Sequence, residues 1–529
     1  MHTCIVWFRR DLRVHDHAAL WNACCDAERV IPLFILDPTY LAHRETGGMR
    51  VQFLLECLAD LDASLRGRGS RLTLLLGRAE EVLPRFVRAV AANAVYASTD
   101  IERWSGQVRD RTLTRVAAAE GWQLRWFLNY YVQTEGDYDR ETWHEAWTAH
   151  SKEALLPAPD HIPTPPVSLP ADIPHIDHIP TLADFGLPPA QATLPGGEMA
   201  ARRRLEDFLS RRFESYRRCL SSPALAEDDG TSRLSPYLKF GCLSQREAIQ
   251  AARRRWFTAS QAGRKSLEAW ASRLRWRDHF IQKFALYPQA EFVNLYAPFD
   301  EVRRPEDADM TLLDAWRRGE TGYPLIDASM RALRQTGLLN FRMRAMLATF
   351  LTINLFQAWQ HGAEWFMQHL LDGDVCIDHW QWQMQAAITQ PKSGFIRCYN
   401  PTKQCFDNDP DAVFIHRYVP ELRPLPAPLV FQPWTLTEME QQMYGVRIGV
   451  DYPAPIVDAE ATRRQGIARL QAIRDRLAGA DDLEAFVNQM EGVTPGVRVK
   501  SSIAAAPENL DCEPSDPEMP KSECERDLV

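Results

Sequence analysis

Eleven of the chain's 35 prolines fall between Leu156 and Pro195. A stretch so rich in a residue that fixes φ and lacks a backbone donor cannot run as a helix or as a central strand, so it reads as a connector. The sequence on its two sides has different periods. Before it, short apolar runs at 4–8, 30–36, 72–76 and 94–97 alternate with helix-length segments, notably 49–67, where Phe53, Leu54, Leu58, Leu61 and Leu65 recur at helical spacing. Strands alternating with helices predict an α/β domain built on a doubly wound parallel sheet. After it, apolar residues three or four apart at 199–213, 245–257, 266–284, 324–333, 342–359 and 364–371 predict a large all-α domain. The resulting division is 1–132 for the α/β domain, 133–196 for the connector, 197–477 for the helical domain and 478–529 for an acidic tail. A chain of 529 residues is too long for a single hydrophobic core, which agrees with two domains.

Charge and cysteine usage narrow the function classes. The net charge of −9 looks unfavourable for a polyanion binder, yet from Pro507 to Val529 eight acids stand against Lys521 and Arg526, which places −6 in the tail and −3 elsewhere. A local basic face is therefore compatible with the total. The tail is expected to be disordered and is a candidate contact for a protein partner. Eleven cysteines, an odd number without a repeating spacing, suit reduced thiols in a cytoplasmic protein better than a disulfide framework. Cys376, Cys398 and Cys405 are too few for an iron–sulfur cluster, and His161, His175 and His178 lie in the connector without acidic or thiol companions, so no metal site is assigned. No run of roughly 18 apolar residues and no secretory layout occurs, so neither a membrane span nor export is expected.

The segments that carry chemistry lie in order along the chain: Val6-Trp-Phe-Arg-Arg-Asp-Leu-Arg-Val-His-Asp, Thr231-Ser-Arg-Leu-Ser-Pro-Tyr-Leu, Asp314-Ala-Trp-Arg-Arg-Gly-Glu-Thr-Gly-Tyr-Pro-Leu-Ile-Asp, Leu371-Asp-Gly-Asp-Val and Trp380-Gln-Trp-Gln. Hydroxyls and backbone N–H groups at the helix start after Gly230 suit a pyrophosphate. Together these segments resemble the DNA photolyase/cryptochrome family, closest in pattern to its cyclobutane pyrimidine dimer photolyases but with a divergent substrate pocket. The resemblance implies FAD. It assigns Tyr216, Thr231, Ser232, Arg233, Leu234 and Ser235 to the phosphate and ribityl region, and Trp270 and Arg277 to a helix lining the pocket. It also assigns Arg344, Asp372, Gly373 and Asp374 to the isoalloxazine side, with Asp378 next to the flavin's reactive nitrogen. Repairing members usually have asparagine at that last position, and a carboxyl there can give up a proton where an amide cannot. Photoreduction in the family uses a line of tryptophans. Trp382 and Trp359 stand at the inner and middle positions, Glu306 occupies the outer one, and Trp380, Trp316 or Trp365 are candidates for another route.

The substrate pocket departs most from the repair pattern. The usual glutamate reads Arg273, and the usual asparagine and methionine read Phe341 and Ala345. A flipped dimer needs an aromatic platform, a basic rim and a polar slot, which Trp276, Trp270, Phe341, Arg273, Arg342 and Arg397 can supply. In the amino-terminal domain a light-harvesting pigment is expected of a typical member. His43 lies near a folate-binding position, while the usual acidic contact reads Ser105 and Gly106, so folate, deazaflavin, a second flavin or no antenna all stay open. The resemblance implies first a deoxyribodipyrimidine photo-lyase, a lyase that meets UV-damaged DNA through phosphate contacts and a flipped pyrimidine dimer, acting as a monomer. The alternatives are a cryptochrome-type blue-light photoreceptor and a binding module that keeps flavin only as structure.

Overall fold

A computed structural model describes residues 2–133, 138–167, 169–300, 302–389 and 395–477, and the acidic tail lies outside these. The amino-terminal half is a sheet of six strands in the order β5-β4-β1-β2-β3-β6, formed by Thr3–Phe8 (β1), Arg29–Leu36 (β2), Thr73–Leu76 (β3), Ala94–Ser98 (β4), Gln123–Phe127 (β5) and His175–Ile176 (β6). The first five pair in parallel, and β6 is antiparallel to β3. β1 and β2 are buried almost throughout because helices cover both faces, and their uninterrupted apolar runs follow from that.

Two features differ from the sequence reading. β5 was not expected, since Gln-Leu-Arg-Trp-Phe alternates polar with apolar and none of it is buried, as suits an edge strand. The connector is also not structureless: it contains the helix Arg140–Lys152 and contributes β6, so the parallel sheet is mixed at one edge. Its prolines flank β6 and do not interrupt it.

The remainder is helical. The helix Gln261–Leu286 is the long spine, and the run at 342–359, predicted as one helix, divides in two. Phe341–Thr349 is followed by a wide turn at Phe350–Asn354, Phe356 takes φ 54°, and a new helix begins at Trp359. No glycine or proline marks this break. One distant and one local side chain take up the freed backbone: Arg303 Nη1 donates to Thr352 O at 2.5 Å, and Gln357 Nε2, within the break, donates to Leu355 O at 2.9 Å.

One hydrophobic cluster runs from a face of the sheet (Val6, Phe8, Phe34) through the helix Gly48–Arg66 (Phe53, Leu58) into the helical half (Phe208, Tyr237, Trp270). The carboxyl ends of β1 and β4, the switch point where α/β sheets commonly bind ligands, are filled by protein. Arg9 Nη1 donates to Ser98 O at 3.2 Å, and Arg10 pairs with Asp100 and, at 2.9 Å, with Asp374 of the helical half.

Candidate flavin site

The phosphate-side loop is built by arginines. Arg212 Nη1 donates to the carbonyls of Asp229 and Thr231, both at 2.6 Å, and Arg204 Nε donates to Ser232 O at 2.9 Å. Arg233, at φ 49°, turns back to hold the same loop, its Nε donating to Ala226 O at 3.2 Å. Trp270 Nε1 donates to Ser232 Oγ at 3.1 Å, which ties the loop to the spine helix. Leu234 is buried, and Ser235 is exposed at the start of the short helix Ser235–Lys239, with Pro236 in its first turn. Tyr216 lies buried edge-on to Phe208 at 5.8 Å. Arg212 Nη2 is a buried cationic donor without an acceptor among the described residues, beside backbone suited to phosphate.

On the opposite side, Arg344 Nη2 donates to both oxygens of Asp372 at 3.0 Å, and its Nε donates to Leu339 O at 2.8 Å. A side chain at Gly373 would bring its Cβ to 2.2 Å from Arg50 Nη1, so only glycine fits beneath that arginine. Asp374 caps the helix Val375–Gln385, accepting from Cys376 N at 3.2 Å, and its other oxygen meets Arg10. Arg277 donates to Asp278 at 3.0 Å and to Leu238 O at 3.1 Å, and it lies over the Tyr130 ring. Asp374 thus joins the two domains through Arg10, whereas Arg277 hydrogen-bonds within the helical half and meets the amino-terminal domain at the Tyr130 ring.

Asp378 sits one turn into the helix that Asp374 caps. Its Oδ2 is buried without a hydrogen-bond partner among the described residues. Burial pushes its carboxyl well above the usual aspartate range, the neighbouring Glu45 charge adds to the rise, and Arg344 opposes it. This environment favours the protonated form of the carboxyl.

The tryptophans fall into separate contacts. Trp382 packs against Phe366 at 4.9 Å and edge-on to Trp316 at 6.1 Å, while Trp359 meets His379 at 5.5 Å and donates from Nε1 to Asn294 Oδ1 at 2.7 Å. Trp380 lies near Tyr287 and Trp365 near His369, with Glu306 exposed. Of the alternative routes, Trp316 is the one in ring contact with Trp382.

In the substrate region, Phe341 lies between two guanidiniums, Arg273 at 5.2 Å and Arg342 at 5.1 Å from its ring centre. Arg342 is buried and donates to Tyr399 OH at 3.0 Å. Trp276 stands one turn from Arg273 on the spine helix and meets His279 and Phe280.

Sequence reasoning missed Arg212, His379, Glu45 and Arg103. His379 adjoins Asp378 in the chain and was within reach. Glu45 and Arg103 come from the other domain, so no local spacing announces them.

Arg212 Nη2 by the Thr231 loop and Asp378 Oδ2 near Asp372 are buried polar atoms without hydrogen-bond partners among the described residues, groups that a bound FAD would satisfy. Residues 270–472 match the model described as the FAD binding domain of DNA photolyase, and residues 4–157 match the DNA photolyase model. The chain is 35% identical over 477 residues to the cryptochrome DASH of Gloeobacter violaceus, covering 86% of this chain and 93% of that one. It is 32% identical to the deoxyribodipyrimidine photo-lyase of a Synechococcus strain, over 90% and 97% of the respective chains. Among solved structures, a bacterial class III photolyase from Agrobacterium tumefaciens superposes with a TM-score of 0.77 at 28% identity, covering 90% of this chain and 98% of that one. The ordered motifs, the sheet-plus-helical architecture, the two buried polar atoms and these likenesses agree, and the chain belongs to the DNA photolyase/cryptochrome family, binding FAD in its helical half.

Proposed function

We propose that this protein is a deoxyribodipyrimidine photo-lyase, splitting pyrimidine dimers in UV-damaged DNA under light. The observation that carries this reading is the Phe341 ring held between Arg273 and Arg342, one helical turn from Trp276. Bound and reduced, FAD supplies the electron that opens the dimer. The chain's own residues do the rest. Trp276 and Phe341 supply the aromatic rings against which a flipped pyrimidine dimer packs. Arg273 places positive charge where the dimer gains negative charge, a field replacing the hydrogen bond of the usual acid. Arg342 is fixed by Tyr399 and keeps the Phe341 platform from turning.

The test is the loss of cyclobutane dimers, and separately of (6-4) products, from irradiated oligonucleotides mixed with reduced holoprotein under blue light, with a dark control. Repair of either product supports the reading. Intact flavin photoreduction with no repair of both products sinks it. DNA binding should weaken steeply between low and physiological salt if arginines meet phosphates.

A blue-light photoreceptor is the second reading, favoured by the buried Asp378 carboxyl, whose surroundings favour its protonated form. In that case light drives proton release from Asp378 whether or not DNA is present.

A further inference from the structure

The helix Val375–Gln385 presents Asp378 and His379 side by side, and His379 reaches across to the amino-terminal domain. Its ring is 4% exposed. Nδ1 stands 3.5 Å from Asp378 Oδ2, and Nε2 stands 3.7 Å from Glu45 Oε1. Glu45 meets Arg103 at 2.5 Å, and Arg103 also holds Glu291 at 2.7 Å. An imidazole with one nitrogen toward each of two carboxyl groups can release a proton from one side and take one up on the other without turning. Asp378 Oδ2 and His379 Nδ1 both lack hydrogen-bond partners among the described residues, so a small rotation closes the gap between them with nothing to break first. Solvent is near the far side: His43 Nδ1 accepts from Glu45 N at 3.2 Å, and the adjoining Arg44 side chain is 73% exposed.

We propose that His379 returns a proton to Asp378 after light has driven one off, and that Glu45 positions the ring for this transfer. The proposal rests on the reading that Asp378 lies beside the flavin's reactive nitrogen. No electron moves in the step. The Asp378 O–H bond breaks toward the flavin, the His379 Nδ1–H bond breaks as a new O–H forms on Asp378, and a proton from water on the Glu45 side binds Nε2.

The surrounding charges favour this division of roles. Asp378 faces Glu45, Asp372, Arg344 and Arg50, and burial together with the Glu45 charge favours its protonated form against the opposing pull of the arginines. Burial alone would raise Glu45 as well, but the hydrogen bond and charge of His379, with Arg103, hold it well below the ordinary glutamate range. Glu45 therefore favours its anionic form and offers His379 Nε2 a negative partner. Arg103 and Glu291 complete the charged shell, His43 lies beside it with burial favouring its neutral form, and the Trp359 edge at 5.5 Å closes another side of the ring.

The experiment follows the infrared carboxyl band of Asp378 in the holoprotein after a light flash, together with its hydrogen–deuterium exchange in the dark. Wild type should bleach and recover the band, and Asp378→Asn should remove it. His379→Gln should slow recovery roughly a hundredfold and slow dark exchange with flavin retained, and added imidazole should restore the rate in His379→Ala. Glu45→Gln should move the pH at which recovery changes speed, an effect that loss of packing alone does not produce. Recovery at the wild-type rate in His379→Gln overturns the relay and leaves the role of Asp378 standing. An unbleached band in wild type overturns the placement of Asp378 itself. Should His379→Gln lose its flavin, an unmoved pH profile in Glu45→Gln overturns the relay on its own.

Discussion

Asp378 concentrates the chemistry of the site in one carboxyl group. Its pKa in the folded protein lies above the value it has unfolded, so between those two values the native state binds more protons than the unfolded state. Stability contributed by this residue therefore falls as pH rises out of the ordinary aspartate range. Asp378→Asn is expected to be more stable than wild type at pH 7 by at least about 1 kcal/mol, with the advantage gone below about pH 4. Thermal unfolding of the holoprotein at both pH values measures this. Arg273 makes the complementary case. If its charge acts on the dimer through the field, Arg273→Gln should lower the repair rate by about tenfold or more while lesion affinity changes less. Equal losses in rate and affinity would show that the arginine only binds.

At the scale of elements, two contacts organise the helical half. The turn before the helix Pro324–Thr336 is gathered by buried Asp327, which accepts from Thr321 N at 2.7 Å, Thr321 Oγ1 at 2.6 Å, Gly322 N at 3.1 Å and Tyr452 OH at 2.5 Å. Asp327→Ala strands four donors and should cost about 2–4 kcal/mol in denaturant unfolding. The second contact is Gly362, where a Cβ would lie 2.2 Å from the ring of Trp382. Gly362→Ala must displace that ring and should slow flavin photoreduction, read by transient absorption, even where the fold survives. The helices themselves were legible: Phe53, Leu58 and Leu65 mark their helix by spacing alone. The break at 350–358 was not, because Arg303 stabilises it from outside the local sequence and no glycine or proline marks it. The loop at Thr231 showed itself through its hydroxyls and glycine, while the Glu45, Arg103 and His379 group exists only once the two halves meet.

For the whole molecule, the motif Val6–Asp16, one of the segments that carry the family resemblance, serves to join the halves. Arg10 pairs with Asp374, Asp16 with Arg246 at 2.6 Å, and Glu102 with Lys239 at 2.6 Å, all across the junction. Arg10→Ala removes the guanidinium hydrogen-bonded to buried Asp374, leaving Lys239 and Arg277 as its nearby cations, and should cost about 1–3 kcal/mol. Because Asp374 caps the helix carrying Asp378, the same variant should also release FAD more readily, measured as flavin lost on gel filtration. The hydrophobic cluster that passes from Phe8 and Phe53 to Trp270 has a further consequence for how such chains diverge. The sheet and the helix carrying Trp270 share one core, so a lineage can lose a second pigment from the amino-terminal domain without being free to lose the domain. Exchanging that domain between relatives means exchanging part of the flavin's own support, and hybrid chains should fail at flavin retention before they fail at light capture.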